Sequence, residues 1–454
     1  MSIQSQNPYT EKVEKTFSTC TPAEAVKACD KSHKTFISWK EVPIKKRAQL
    51  VKNIAKNLRA NKETYARVIT REMGKPITQS ISEIEKCAWN CEYIAEHGPG
   101  FLKDELVETE MHKAAVRFAP LGVILAVMPW NFPFWQVFRF ASLALLAGNT
   151  AILKHASNVP QSAKLIEKII RDSGFPKDVF QTLFVQSRDI ETVIEHDAVR
   201  MVILTGSEKA GSEVGALSGK HIKKSVLELG GSDAFIIMPD ADLDEAVKIG
   251  VQSRMGNNGQ AGNAAKRILV HEKVVKEDTA RFKEKLEAFV IGDPLDPKTT
   301  LGPLARGDIQ EELHVQVRDS IMKGAKCLIG GEKIDRQGFF YSPTILTNVR
   351  PGMPAFDEEL FGPVVSIITF KDEAEAIRLA NMHRYGLSAT IFSKNLKKAE
   401  KMADALDVGL VAINGIAKSD PRLPFGGTKK SGYGREMGKF GIREFTNIQT
   451  RMVR

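Results

Sequence analysis

Apolar residues recur at three- and four-residue spacing through residues 21 to 99, which predicts long amphipathic helices at Pro22 to Ser38, Ile44 to Asn61 and Ile81 to His97. The period then changes. Met111 to Phe118 alternates apolar and polar positions, and Val123-Ile124-Leu125-Ala126-Val127-Met128 is a continuous apolar run stopped by Pro129, the pattern of a strand buried on both faces. Further strands are predicted at Ala151 to Leu153, Phe180 to Val185 and Met201 to Leu204, with helices over Pro160 to Asp172 and from Lys209 onward. This alternation predicts an α/β protein with a doubly wound parallel sheet. The tail from Arg443 to Val453 alternates well enough for one last strand.

With 454 residues, 43% hydrophobic and 26% charged, the chain is long enough for two or three packed domains. Its N-terminus lacks a basic segment followed by an apolar one, and no apolar run reaches membrane-spanning length, so a cytoplasmic protein without membrane association is expected. The five cysteines (Cys20, Cys29, Cys87, Cys91 and Cys327) are scattered without paired CxxC elements, which fits a reducing compartment and predicts no metal site. A formal charge of +10 could attract acidic partners, but Lys and Arg are interleaved with Asp and Glu. That reads as a solvated surface, and no nucleic-acid partner is predicted.

After the predicted Met201 strand comes Thr205-Gly206-Ser207-Glu208-Lys209-Ala210-Gly211, a small-residue turn leading into a helix. Unpaired backbone N–H groups and the helix dipole make such a turn a natural anion site. On spacing alone an ordinary βα turn is the favoured reading, and the chain has no GxGxxG element.

Several segments taken together carry more weight. Pro129-Trp130-Asn131-Phe132-Pro133, Leu153-Lys154, Thr205-Gly206-Ser207, Leu227-Glu228-Leu229-Gly230-Gly231, Gly259-Gln260, Glu358-Glu359-Leu360-Phe361-Gly362-Pro363 and Pro424-Phe425-Gly426-Gly427 resemble the ordered motif series of the aldehyde dehydrogenase superfamily over nearly the whole chain. Within it, Met128 to Pro133 and Leu153 to Ala156 are most similar to bacterial succinate-semialdehyde dehydrogenases. The resemblance implies NAD or NADP as cofactor and a small aldehyde as substrate. A thiolate would attack the aldehyde, hydrogen-bond donors would hold the oxyanion, hydride would leave to the nicotinamide, and water would cleave the thioester.

Residue by residue, the resemblance makes Asn131 the oxyanion donor and Glu228 the base that activates the deacylating water. A lone Glu at the end of an apolar strand must be paired or have its pKa raised, which suits a tuned base. Lys154 is assigned to the adenosine ribose, Ser207 to the pyrophosphate, Glu359 to the nicotinamide ribose and Phe361 to packing beside it. Trp130, Gly206, Leu229 and Gly230 complete the cofactor set. Ser157 stands where many NAD-preferring relatives carry a carboxylate; a small neutral side chain removes the repulsion against a 2′-phosphate, so NADP is expected to be accepted. Arg139 matches an arginine that grips a distal carboxylate, and Phe132 and Phe425 are placed at the aldehyde. The alternative for Arg139 is a surface arginine paired with a nearby acid. A second arginine of some relatives is replaced by Gly256, and whether Arg254 reaches instead is open.

The stretch Gly259-Gln260-Ala261-Gly262-Asn263-Ala264-Ala265-Lys266-Arg267 resembles the nucleophile segment Gly-Gln-x-Cys-x-x-x-x-Arg, with Gly262 in place of the cysteine. Glycine offers no nucleophile, so the chain is expected to be inactive or nearly so. Three origins fit: a deliberately disabled variant, a natural protein that kept a binding role, or an error in the sequence. The division expected is a cofactor domain at 1–101 and 121–230, a catalytic domain at 231–440, and an oligomerisation element at 102–120 and 441–454. An unpaired terminal strand would be an exposed edge, so a homodimer or homotetramer is expected.

Overall fold

A computed structural model describes residues 2–454. Two large sheets dominate. In the first, the strand order is Gly432–Tyr433, Lys224–Glu228, Val199–Thr205, Val123–Met128, Thr150–His155 and Phe180–Thr182, and all neighbours are parallel except Gly432–Tyr433. The second runs Lys326–Ile329, Thr344–Thr347, Val364–Phe370, Ala265–His271, Asp233–Ile237, Ser388–Phe392 and Leu410–Ile413, antiparallel only at its first pair. Both have helices packed on them, as buried parallel strands require. A third, antiparallel sheet joins Thr446–Val453, Lys113–Pro120 and Glu105–Val107.

The strand Val123–Met128 sits where the strand order of the first sheet reverses, beside Val199–Thr205. The crevice beyond the carboxyl ends of strands at such a point is the usual ligand position of this architecture. Glu228 ends the last parallel strand there. Only Leu229 to Ser232 separates it from Asp233, which opens the second sheet.

The observed helices Pro22–Trp39 and Pro160–Asp172 match the expected ranges closely. Others differ. The helix expected from Ile81 spans Ile77–Phe101, and a helix at Lys62–Met73 lies between it and its predecessor, ended by Gly74 at φ +78°. The strand expected to reach Val185 stops at Thr182. Arg443 and Glu444 belong to a helix, Gly438–Glu444, and the terminal strand starts at Thr446. The reason is local: a Cβ on Gly441 would stand 2.3 Å from the Glu436 carbonyl carbon, so glycine lets this turn of helix pack where alternation suggested strand. No helix among the described residues is long and apolar enough to cross a membrane.

The helix Trp135–Ala147 is buried on all sides, so its one charged side chain, Arg139, must find a partner inside the protein.

Candidate active site

A cleft of about 1600 Å³ lies between the two large sheets. Its walls include the segments after the strands Val123–Met128, Val199–Thr205 and Lys224–Glu228, and those before Ala265–His271, Val364–Phe370 and Ser388–Phe392. The first sheet thus contributes carboxyl ends and the second amino ends. Trp130, Asn131, Phe132, Arg139, Lys154, Gly206, Ser207, Glu228, Leu229, Gly230, Gly262, Glu359, Phe361 and Phe425 all line it. Ser157 does not: it is exposed, one residue past Ala156, where the lining ends.

The floor is the loop ending at Gly262. Asn257, Asn258 and Gly259 hold consecutive left-handed conformations, at φ 59°, 56° and 76°, a run that needs Asn or Gly and firm support. Asn258 donates to the Gly74 and Pro303 carbonyls at 3.1 and 2.9 Å and accepts from the Gly302 N–H at 2.9 Å. A Cβ on Gly259 would stand 2.2 Å from the Gly362 carbonyl oxygen.

Arg254 settles the question left open for it. Its guanidinium is fully buried and donates to the carbonyls of Val364, Gly259, Leu360 and Gly362. Four of its five donors tie the Gly262 loop to the Glu359 loop, and the side chain is not part of the cleft lining, so it does not reach a substrate there.

Gly262 has no left-handed conformation to explain a glycine. A Cβ built on it meets nothing nearer than Leu387 Cδ2 at 3.6 Å and the Leu229 carbonyl oxygen at 3.9 Å, ordinary contacts. A Cβ therefore fits. The glycine that close approach does require is Gly231, whose Cβ would lie 2.8 Å from the Gly262 carbonyl oxygen.

Asn131 is buried and its side-chain amide donates to the Gln260 carbonyl at 3.0 Å. That contact fixes the amide on the Gly262 loop and leaves its second N–H uncommitted, since a carboxamide carries two donors. Asn257 braces the pair from behind, donating to the Asn131 carbonyl at 2.8 Å and to the Gln260 carbonyl at 3.0 Å.

Glu228 is 2% exposed and neither carboxylate oxygen has a hydrogen-bond partner. Burial pushes its pKa well above the ordinary carboxylate range; Arg139 opposes the shift and Glu436 adds to it. Arg139 departs from expectation. It is neither at a pocket mouth nor on the surface but 2% exposed, ion-paired with buried Glu436, donating to Thr205 Oγ1 at 3.2 Å and stacked over Phe425 at 5.3 Å. A charge inside an all-buried helix demands such a partner.

On the cofactor side, Ser207 caps the helix Glu208–Lys220, its hydroxyl accepting from the Ala210 N–H at 3.3 Å, so the helix N-terminus opens on the cleft. Burial lowers the pKa of Lys154, whose amine donates to Ser187 Oγ at 3.4 Å. Trp130 meets Phe361 edge to face at 5.7 Å. Glu359 Oε1 accepts from the Gly231 N–H at 3.1 Å, and a Cβ on Gly230 would stand 2.4 Å from Oε2. The glycine pair thus makes room for this carboxylate and for the Gly262 loop together.

The Asn131 amide, the unpartnered buried Glu228 carboxylate and Gly262 thus line one cleft. A model of the aldehyde dehydrogenase family matches residues 1–451. The chain belongs to the aldehyde dehydrogenase family. These enzymes are oxidoreductases, and the fold agrees.

Among curated aldehyde dehydrogenases, the succinate semialdehyde dehydrogenase [NAD(P)+] Sad of Escherichia coli is 48% identical over 415 residues, 91% of this chain and 90% of that protein. A succinate-semialdehyde dehydrogenase [NADP(+)] of Deinococcus radiodurans is 43% identical over 441 residues, covering 97% and 92%. The crystal structure of succinic semialdehyde dehydrogenase from Streptococcus pyogenes in complex with NADP+ superposes with a TM-score of 0.97 at 36% identity, covering 99% of each chain.

Sequence reasoning missed several residues of this aldehyde dehydrogenase cleft. Lys86 lines it, its amine donating to Ser419 Oγ at 2.8 Å and lying 4.1 Å from the centre of the Trp135 ring, with its pKa lowered to about 8 chiefly by burial. Glu436 follows the Pro424-Phe425-Gly426-Gly427 motif but has no mark in the periodicity. Lys266 stands in the sequence only as one residue of the nucleophile-segment match, with no role assigned to it.

Proposed function

We propose that this scaffold is built for NAD(P)-dependent oxidation of a small carboxylate-bearing aldehyde, succinate semialdehyde first, and that the chain is a thiol-less form of that enzyme. The observation that carries the reading is the geometry at Gly262: a cleft position with ordinary backbone and room for a Cβ, beside the Asn131 amide and in the same cleft as the unpartnered Glu228 carboxylate. Glycine is not demanded there by the fold. The Cβ of a cysteine meets only ordinary contacts.

The cofactor site fits a dinucleotide. The N-terminus of Glu208–Lys220 offers N–H groups to a pyrophosphate, Lys154 a cation to the adenosine ribose or its 2′-phosphate, and Glu359 a carboxylate oxygen to the nicotinamide ribose. When bound, the nicotinamide accepts a hydride from the substrate carbon. With a cysteine at position 262, its thiolate would attack the aldehyde carbon, the Asn131 amide would hold the oxygen, and Glu228 would take a proton from the water that cleaves the resulting thioester and frees the thiol. Cofactor choice follows NADP with NAD accepted, as the names of the E. coli and D. radiodurans relatives support.

For the distal carboxylate, Arg139 remains the assigned group, with its charge shared with Glu436. Lys86 supplies a second cation on the same lining. A panel of aldehydes offered to the Gly262→Cys variant tests the class: kcat/KM is expected to be highest for succinate semialdehyde. An uncharged aldehyde of equal length turned over as well would refute the carboxylate assignment.

The glycine itself favours a second reading, a dinucleotide-binding protein without dehydrogenase activity. The same proposal includes a cytoplasmic location, the division at 1–101 with 121–230, 231–440, and 102–120 with 441–454, and a homodimer or homotetramer. Ile448 and Met452, each 62% exposed on the edge strand Thr446–Val453, support the last point.

A further inference from the structure

Lys266 is 2% exposed, four residues past Gly262 at the start of the strand Ala265–His271, and no step above uses it. Its ammonium has a full set of partners. It pairs with Glu359 Oε1 at 2.9 Å, donates to the Ala261 carbonyl at 2.8 Å and to the Gly262 carbonyl at 2.5 Å, and lies 5.7 Å from the centre of the Phe361 ring. One charged group therefore touches both halves of the site: the carboxylate assigned to the nicotinamide ribose and the peptide that carries the nucleophile position.

The two oxygens of Glu359 are treated differently. Oε1 is held by Lys266 and by the Gly231 N–H, whereas Oε2 lies over Gly230, where the absence of a Cβ leaves it space. Two donors on one oxygen fix the carboxylate plane and present the other oxygen to an incoming hydroxyl. At the same time an ammonium on the Gly262 carbonyl places positive charge within a peptide's length of any thiol at that position, and a neighbouring cation favours a thiolate. Burying a lysine is expensive unless every donor is used and the charge is opposed. Here all three protons have acceptors. Burial lowers its pKa from the ordinary lysine range; of the charged groups facing it, Glu359 and Asp233 oppose that shift and Arg254 adds to it.

We propose that Lys266 is a positioning residue that couples cofactor binding to the nucleophile loop, aiming Glu359 at the nicotinamide ribose and favouring the thiolate of a cysteine at position 262. The inference rests on the dehydrogenase reading above. It goes beyond it in giving one buried cation two separable effects.

The test uses the full chain and its Gly262→Cys variant, each with and without Lys266→Met or Glu359→Gln. Two quantities are read: the dissociation constants of NAD+ and NADP+, and the pH profile of iodoacetamide alkylation of the Gly262→Cys thiol. Both substitutions are expected to weaken dinucleotide binding by about tenfold or more, the scale of a lost charge-assisted hydrogen bond. On the thiol they act in opposite directions. Lys266→Met moves the alkylation midpoint up by roughly one pH unit and Glu359→Gln moves it down, because one removes a cation and the other an anion. A merely structural lysine would loosen the loop in both variants and shift the profile the same way. Lys266→Gln, which keeps a donor without the charge, serves if the methionine variant fails to fold.

Unchanged dinucleotide affinity in Lys266→Met, an unmoved alkylation profile, or shifts of the same sign in the two variants would each overturn the inference. Failure of the underlying reading looks different. A parent chain that binds neither NAD+ nor NADP+ overturns the dehydrogenase reading and the cofactor role of Lys266 with it, before any substitution at 266 is made.

Discussion

Gly231 and Gly262 approach so closely that a single Cβ on the first would press to 2.8 Å from the carbonyl oxygen of the second. The linker between the two large sheets and the floor of the cleft are therefore in backbone contact, and the approach is possible only because residue 231 has no side chain. Gly231→Ala must push the Gly262 peptide aside or strain the linker. We expect a loss of about 1 to 3 kcal/mol in a denaturant titration, the usual scale of overpacking. The Gly262→Cys background should also lose kcat, since the displaced peptide is the one that carries the thiol.

Arg254 gives a second test of the loop. Its guanidinium satisfies four carbonyls that belong to two different segments, and hydrogen bonds from a charged donor are worth about 1.5 to 3 kcal/mol each when lost from a buried site. Arg254→Met is expected to cost at least about 3 kcal/mol of stability in urea unfolding. Arg254→Lys should recover only part, because a single ammonium cannot span both segments. An unchanged urea midpoint in Arg254→Met would show that the two loops hold together without it.

The Glu228 carboxyl makes two predictions of definite sign. Its folded pKa is raised well above the ordinary 4.5, so the folded state holds this proton over a range where the unfolded chain has released it. Stability from this group is full at acid pH and declines as pH climbs from the unfolded value through the raised folded one. Glu228→Gln should remove that decline, seen as a flatter dependence of the unfolding midpoint on pH. In the Gly262→Cys background the same substitution should slow turnover by about a hundredfold or more, as expected for loss of a positioned base. A rate within a few-fold of the parent would take the base role away from Glu228.

Ser157 stands just outside the cleft lining, so its assignment to the 2′ end of the cofactor is exposed to a direct check. Ser157→Glu is expected to weaken NADP+ binding at least about tenfold relative to NAD+, through repulsion of the phosphate. Equal effects on the two cofactors would remove residue 157 from the discrimination and leave it to Lys154.

What the sequence made legible follows the physics of each signal. Strands buried on both faces, such as Val123–Met128, carry an unbroken apolar run and were found to the residue. Asn131, Glu228 and Glu359 are converging residues from three distant segments, and ordered motifs rather than periodicity brought them together. Arg139, Arg254 and Lys266 show the limit. A basic residue reads as surface or ligand in one dimension, whereas Glu436 for Arg139, the Leu360, Gly362 and Val364 carbonyls for Arg254, and Glu359 for Lys266 come from segments far away in the chain. The left-handed run at Asn257 to Gly259 was likewise invisible as geometry, although its Asn-Asn-Gly composition is the one such a run requires.

The most direct measurement sets the chain beside its Gly262→Cys variant and follows reduction of NAD+ and NADP+ with succinate semialdehyde. A disabled dehydrogenase predicts NAD(P)H production from the cysteine form and none, or several orders of magnitude less, from the glycine form. Equal rates in the two forms, or no activity in either with this or any other small aldehyde, would contradict it.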